Sequence, residues 1–297
     1  MESGTVKLLN MLHDRVRQLC EAGKWEEAMH TANTAVEKSR AALDDDSKSM
    51  EELSASLEVK GDFLRQYGNL EEARKAYFEA LELLEGNAEY TEHMARISAS
   101  VAVVYETDGN TDESITFYER SIELFQRMDP PSLIDVASLC NNLAYIHKTC
   151  GDLDTAEGLY LKALEIYHDI LGADAEETAA ICNNVGALYL AAGCYEQARE
   201  MFTMALEARR KVFGEKHLET AQSYANLAAA LSYINENKGA KKNFENSLKI
   251  YESKVREAPM DYATVSSNYA EFLRDQGNEK AAISVEKRAS KSLKKVS

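Results

Sequence analysis

The stretch Val185-Gly186-Ala187-Leu188-Tyr189-Leu190-Ala191-Ala192-Gly193-Cys194-Tyr195-Glu196-Gln197-Ala198-Arg199-Glu200-Met201-Phe202-Thr203-Met204-Ala205 decides the fold. Helix-forming residues run up to Gly193 and resume just after it. Glycine enters the left-handed conformation without a Cβ penalty, so Gly193 ends the first helix. Gly186, seven residues earlier, lets two helices approach closely because it has no side chain to hold them apart. Beyond the turn, Ala198 and Phe202 are four residues apart and share one helix face, which puts an aromatic knob beside the gap left by a small residue. The stretch is one helix–turn–helix hairpin.

The hairpin recurs. Its turn residue aligns with Gly23, Gly68, Gly109, Gly151, Asn235 and Gly277, giving successive spacings of 45, 41, 42, 42, 42 and 42 residues. Asparagine is the usual second choice for a left-handed helix end, which accounts for Asn235. The small residue before the turn recurs as Gly61, Ala102, Ala144, Ala228 and Ala270. The small–aromatic pair after it recurs as Ala73 with Tyr77, Ser114 with Tyr118, Ala156 with Tyr160, and Ala240 with Phe244. Pro130, Pro131 and Pro259 all fall between hairpins, where a missing N–H breaks no helix. The one long spacing contains Asp44-Asp45-Asp46-Ser47-Lys48-Ser49, which reads as a solvated linker with capping residues.

Composition agrees with an all-helical chain: 297 residues hold only 3 prolines and 14 glycines, and 45% hydrophobic content is enough to bury a core. The net charge of −16 argues against nucleic acid as a partner, because phosphate-backbone binding rests on Lys and Arg. A basic protein partner fits that charge, although acidity also serves simply to keep a protein dispersed. Residues 41–130 carry 21 acidic and 8 basic groups, whereas residues 238–297 carry 13 basic and 8 acidic. The basic end, with Lys287, Arg288, Lys291, Lys294 and Lys295, suits a terminal helix dipole and leaves self-association or a membrane-surface contact as alternatives. No apolar run is long enough to insert stably in a membrane. The start Met1-Glu2-Ser3-Gly4 lacks a secretory n-region, and five cysteines without a Cys-x-x-Cys pair suit a reducing compartment, so a cytoplasmic location is expected.

The repeated small, aromatic and small positions resemble the tetratricopeptide repeat, whose usual unit is about 34 residues long. Here the 42-residue period adds roughly two helical turns, in segments such as Ile170-Leu171-Gly172-Ala173-Asp174 and Val212-Phe213-Gly214-Glu215-Lys216-His217. With Asn141-Asn142-Leu143-Ala144, these segments are similar to the long repeats of kinesin light chains over residues 96 to 260. The resemblance implies an all-α, right-handed superhelical α-solenoid of about seven helix–turn–helix units over 1–297. The units are expected at 9–42, 54–94, 95–136, 137–178, 179–220, 221–262 and 263–296, with an acidic linker at 43–53. Ala32 and Glu286 replace the aromatic in the first and last units, as suits solenoid ends that face water.

Catalytic and metal-binding patterns are absent. The six histidines form no His-Glu-x-x-His, no Cys/His pairing has zinc spacing, and neither phosphate-binding glycine loops nor Gly-x-Ser-x-Gly occur. The chain is expected to be no enzyme and to need no metal or cofactor. Cys140 and Cys182, both eleven residues before a turn glycine, read as small buried packing residues.

One pattern points to binding. Asn142, Asn184, Asn226 and Asn268 stand nine residues before their turns, and Asn141 and Asn183 precede the first two. The resemblance implies that first helices line a concave groove, with these asparagines and Tyr145 facing a peptide or helix of a partner protein. An amide offers both donor and acceptor to a peptide backbone, but it can equally bond to the neighbouring unit. Both readings stand at this point. In co-chaperones of this family, Lys, Arg and Asn in the groove grip a terminal carboxylate. The matching positions here are Ser138, Asn141, Ala180, Asn184, Gln222 and Asn226, so the cations are missing. Lys148 and Arg274 are the few basic groove candidates. An adaptor or scaffold role follows, with an assembly subunit or a regulatory module as alternatives.

Overall fold

The computed structural model describes residues 3–44 and 46–295. Among these residues there are fourteen α-helices, one short 3-10 turn at Ala88–Tyr90 and no strand. The fold is a solenoid of helical repeats, and by its contacts the chain divides into two compact units, Met1–Leu139 and Cys140–Ser297.

Unit 1 holds the hairpins α1 (Ser3–Glu21) with α2 (Trp25–Ala41), α3 (Ser47–Tyr67) with α4 (Leu70–Leu84), and α5 (Thr91–Thr107) with α6 (Thr111–Arg127). The helix α7 (Leu133–Thr149) carries the boundary between the units. Unit 2 continues with α8 (Leu153–Leu171), α9 (Glu176–Ala191) with α10 (Tyr195–Phe213), α11 (Leu218–Tyr233) with α12 (Asn237–Ser253), and α13 (Pro259–Asp275) with α14 (Glu279–Leu293).

All seven turn residues take positive φ, from 60° at Asn235 to 88° at Gly68. Each turn closes with the same backbone bond, from the residue after the turn back to the carbonyl five positions earlier, as in Asn69 N–H to Leu64 O (2.8 Å) and Cys194 N–H to Tyr189 O (2.8 Å). These bonds satisfy carbonyls that a helix end otherwise leaves open.

The small residues before the turns are buried, and the aromatic rings fill the space they vacate. Tyr77, Tyr118, Tyr160, Phe202 and Phe244 all lie in the core. The fit is tightest at the two glycines: a Cβ on Gly61 would come within 2.6 Å of the Tyr77 ring, and one on Gly186 within 2.7 Å of the Phe202 ring. In the last hairpin Glu286 takes the ring's place and bonds Arg274 instead (2.7 Å).

One expectation needs correction. The acidic linker at 43–53 is largely helix, because α3 already begins at Ser47 and Leu53 is fully buried. Ser49 makes this possible: its hydroxyl donates to the Asp46 carbonyl (2.8 Å) and accepts from the Asp44 N–H (3.1 Å), which fixes the helix start. Asp45 of this run, and Val296 at the expected end of the last unit, lie outside the described residues. In the inter-repeat additions Ile170–Leu171 and Val212–Phe213 extend α8 and α10, and only then do Gly172 and Gly214 turn the chain at φ of 90° and 84°. Thr178 and Thr220 latch these turns by donating to the Gly172 and Gly214 carbonyls, each at 2.8 Å.

Cys140 and Cys182 are buried in the core, and burial pushes the Cys182 thiol up to about 11. A thiol so held carries little thiolate near neutral pH. In the native protein, 5,5′-dithiobis(2-nitrobenzoate) is expected to modify exposed Cys150 first and half-buried Cys20 and Cys194 more slowly. Cys140 and Cys182 are expected to react only after denaturant is added, and labelling of either in the native state contradicts their packing role.

Candidate functional site

The asparagines sit on the first helices of consecutive hairpins, half-buried from Asn141 to Asn226 and exposed at Asn268. Helix pitch puts the residues nine and ten before the turn on adjacent edges of one face. The structure joins them diagonally. Asn184 Nδ2 donates to Asn141 Oδ1 at 2.8 Å, and Asn226 Nδ2 donates to Asn183 Oδ1 at 2.7 Å. Asn141 Nδ2 also reaches Asn142 Oδ1 at 3.2 Å. Each inter-repeat bond thus runs from the residue nine before one turn to the residue ten before the previous turn.

This register explains where the ladder stops. The position that would accept from Asn268 is Ala225, which has no amide, and Asn268 is exposed with no side-chain partner among the described residues. The structure therefore brings Asn141, Asn142, Asn183, Asn184 and Asn226 into two bonded groups and leaves Asn268 apart.

The bonded amides keep unused capacity. A primary amide has two donors and an acceptor with two lone pairs. Both N–H groups of Asn183, and the Oδ1 atoms of Asn184 and Asn226, have no protein partner among the described residues. Ala180, Ala187 and Ala229 flank them, so a backbone can come close to the amides without steric obstruction. Tyr145 lies on the same helix as Asn141 with half its surface open (51%), and the Lys148 ammonium sits 5.3 Å from its ring centroid.

A buried arginine next to this face was not foreseen. Arg209 of α10 is 6% exposed and reaches into the start of α11. Its Nη1 bonds the Glu219 carbonyl (3.2 Å), Gln222 Oε1 (2.9 Å) and Ser223 Oγ (3.1 Å), while Nη2 pairs with the Glu219 carboxylate at 2.8 Å. Burial lowers its pKa, and the Glu219 charge opposes that. The sequence did hold a signal: the position sixteen after the turn is Leu84, Phe125, Tyr167, Tyr251 and Leu293 in other hairpins, so a charge there demands buried partners. Through it Gln222, at the exposed edge of the face, is held in place. Tyr189 is fixed similarly, its hydroxyl donating to Glu157 at 2.7 Å.

Among the described residues no group of three His, Cys, Asp or Glu side chains is placed to hold a metal ion. No helix among them is long and apolar enough to cross a membrane.

Family models of the tetratricopeptide repeat match residues 135–193 and 179–253, and a further one matches 95–127. Curated proteins give no match. Among solved structures, BtubC (BKLC) from P. vanneervenii superposes with a TM-score of 0.68 at 25% identity, covering 77% of this chain and 92% of its own. The apo form of RapI covers 97% of this chain and 99% of its own with a TM-score of 0.66 at 14% identity. The nearly identical TPR-like repeats of a P. anserina kinesin light chain cover 72% of this chain and 99% of theirs, with a TM-score of 0.59 at 16% identity.

Proposed function

Because the chain belongs to the tetratricopeptide repeat family, whose helix-pair arrays are typical protein-interaction modules, we propose that it is a non-catalytic adaptor that holds a peptide segment of a partner protein. The segment lies across the first helices α7, α9 and α11. The observation that carries this reading is the set of unused donors and acceptors on Asn183, Asn184 and Asn226, spaced one repeat apart and flanked by alanines. A peptide backbone matches amides that both give and accept, and no cofactor is needed. The net charge of −16 favours a basic partner, and five unpaired cysteines favour a cytoplasmic setting.

The test separates recognition from packing. Changing Asn142, Asn184 and Asn226 together to alanine is expected to abolish partner capture in a pull-down from the native cell. Stability should fall modestly, by about 0.5–1.5 kcal/mol for each inter-repeat bond lost. Capture that survives while only the melting temperature drops assigns the amides to repeat packing alone.

A second reading rests on a different observation. Leu161, Ile170, Leu171, Met204 and Val212 are exposed on the second helices α8 and α10. A subunit that assembles through this face would present such residues. Leu161→Lys with Met204→Lys would then abolish capture while the asparagine variants leave it intact.

A further inference from the structure

The first hairpin meets the second across a histidine. His13 of α1 stands ten residues before Gly23, as Asn141 and Asn183 stand before Gly151 and Gly193. It is only 6% exposed, and its Nε2 lies 2.9 Å from the Ser56 hydroxyl of α3. Ser56 also lies 2.6 Å from the Ser39 hydroxyl of α2, so one buried cluster ties three helices together. Ser56 donates to the Glu52 carbonyl at 3.0 Å, and Ser39 has the Ala35 carbonyl within reach at 2.9 Å. With these protons spent, Ser56 accepts from the ring, and a neutral imidazole completes the cluster.

A charged ring finds no free anion here. On its own helix it faces Arg17, which repels it, and Asp14, whose carboxylate already accepts from Arg17 at 2.9 Å. From α3 it faces Glu58, held by His93 at 2.9 Å and by Arg96 at 3.0 Å. On α2 the ionisable neighbours of Ser39, Lys38 and Arg40, are exposed, and Arg40 pairs with Glu79 at 2.6 Å. Burial first, and Arg17 second, hold the ring's pKa below its ordinary value against the pull of the two carboxylates. Above about pH 6.5 the ring is neutral whether the hairpin is docked or released. Below it, a released ring takes up a proton that the docked ring resists, so docking weakens as the pH falls towards the docked ring's lower pKa.

We propose that the first hairpin is an acid-released cap: protonation of His13 frees α1 and α2 from α3 while the later helices stay folded. A terminal repeat rests on one neighbour, so it can leave without unstacking the others. Release uncovers Leu53, Leu57 and Phe63 of α3, which share a buried cluster with Val16, Leu19 and Val36 of the hairpin. The cap thus gates an apolar surface by pH. It also carries a reporter, because Trp25, the one tryptophan of the chain, starts α2 with its ring 6.4 Å from that of Phe63 and 6.1 Å from that of Tyr67.

The test follows Trp25 emission of the full chain from about pH 7.5 to about pH 5, the range in which histidine changes charge. A red shift on acidification is expected, together with binding of 8-anilinonaphthalene-1-sulfonate, while most of the helical circular dichroism persists. His13→Gln keeps an N–H for Ser56 but cannot titrate, and should abolish the red shift. Arg17→Glu, an exposed change that turns repulsion of the ring into attraction, should move the midpoint down by roughly half a pH unit. If His13→Gln is already released at neutral pH, Arg17→Glu decides, and a midpoint that it leaves unmoved overturns the proposal. So does the absence of any red shift down to about pH 5, a shift that His13→Gln retains, or one that coincides with loss of most of the helical signal.

Discussion

Phe202→Ala is expected to destabilise the chain by about 3–5 kcal/mol, the cost of removing a large buried ring and leaving a void. Phe202 is almost wholly buried and belongs to the cluster that includes Ala198, Leu206, Tyr224 and Leu227. Its loss strikes two interfaces at once, because the ring packs on Gly186 of α9 and shares one core cluster with Tyr224 and Leu227 of α11. The surrounding helices are tied by the turn bonds at Gly193 and by the latch at Gly214, so they can follow the retreating surface only partly. Urea denaturation of the wild type and variant measures the difference. A loss below about 1 kcal/mol would mean that the hairpin collapses into the void, contradicting the packing described for it.

Gly186→Ala is the companion case and has the opposite cause. Alanine is the better helix former by about 1 kcal/mol, and it occupies the same place at Ala102, Ala144, Ala228 and Ala270. At Gly186, however, the added carbon meets ring atoms of Phe202 at 2.7 Å. Overpacking of this kind costs about 1–3 kcal/mol, so the substitution should destabilise despite its favourable propensity. The sign should reverse in the Phe202→Ala background, where the methyl group enters vacated space and only the helix preference remains. A double-mutant cycle on the four proteins checks this. If Gly186→Ala has the same effect with and without the ring, the two residues are not coupled, and the close approach does not constrain the glycine.

Much of the repeat could be read from the residues because it is encoded locally. A glycine that must turn left, a small residue seven positions earlier and an aromatic nine positions later state their geometry within one hairpin. All seven turns, including the asparagine at 235, take the conformation their sequence predicts. Boundaries were less legible. The run Asp44 to Ser49 has the composition of a linker, yet Ser49 bonds Asp44 and Asp46 and starts α3 inside it. Propensity counts residue types, whereas a cap depends on which way one hydroxyl points.

The candidate site was legible as a list and not as a pattern of bonds. Aligning the asparagines by repeat puts equivalent residues in one row, but the bonds run between non-equivalent rows, Asn184 to Asn141 and Asn226 to Asn183. That offset is set by how far one helix pair is displaced from the next, which no single repeat encodes. The same holds for Arg209, whose partners Glu219, Gln222 and Ser223 lie on the following helix.

The diagonal amide bond has a bearing on how such a chain can grow. Asparagine is self-complementary, so a link made of two of them has no fixed first or last member. Duplicating a whole 42-residue block between Asn141 and Asn226 would hand each new amide a matching neighbour, while adding a single residue to a helix between two linked amides would put the one link that spans it out of register. The alanine at 225 closes the series, as a terminator in a polymer does.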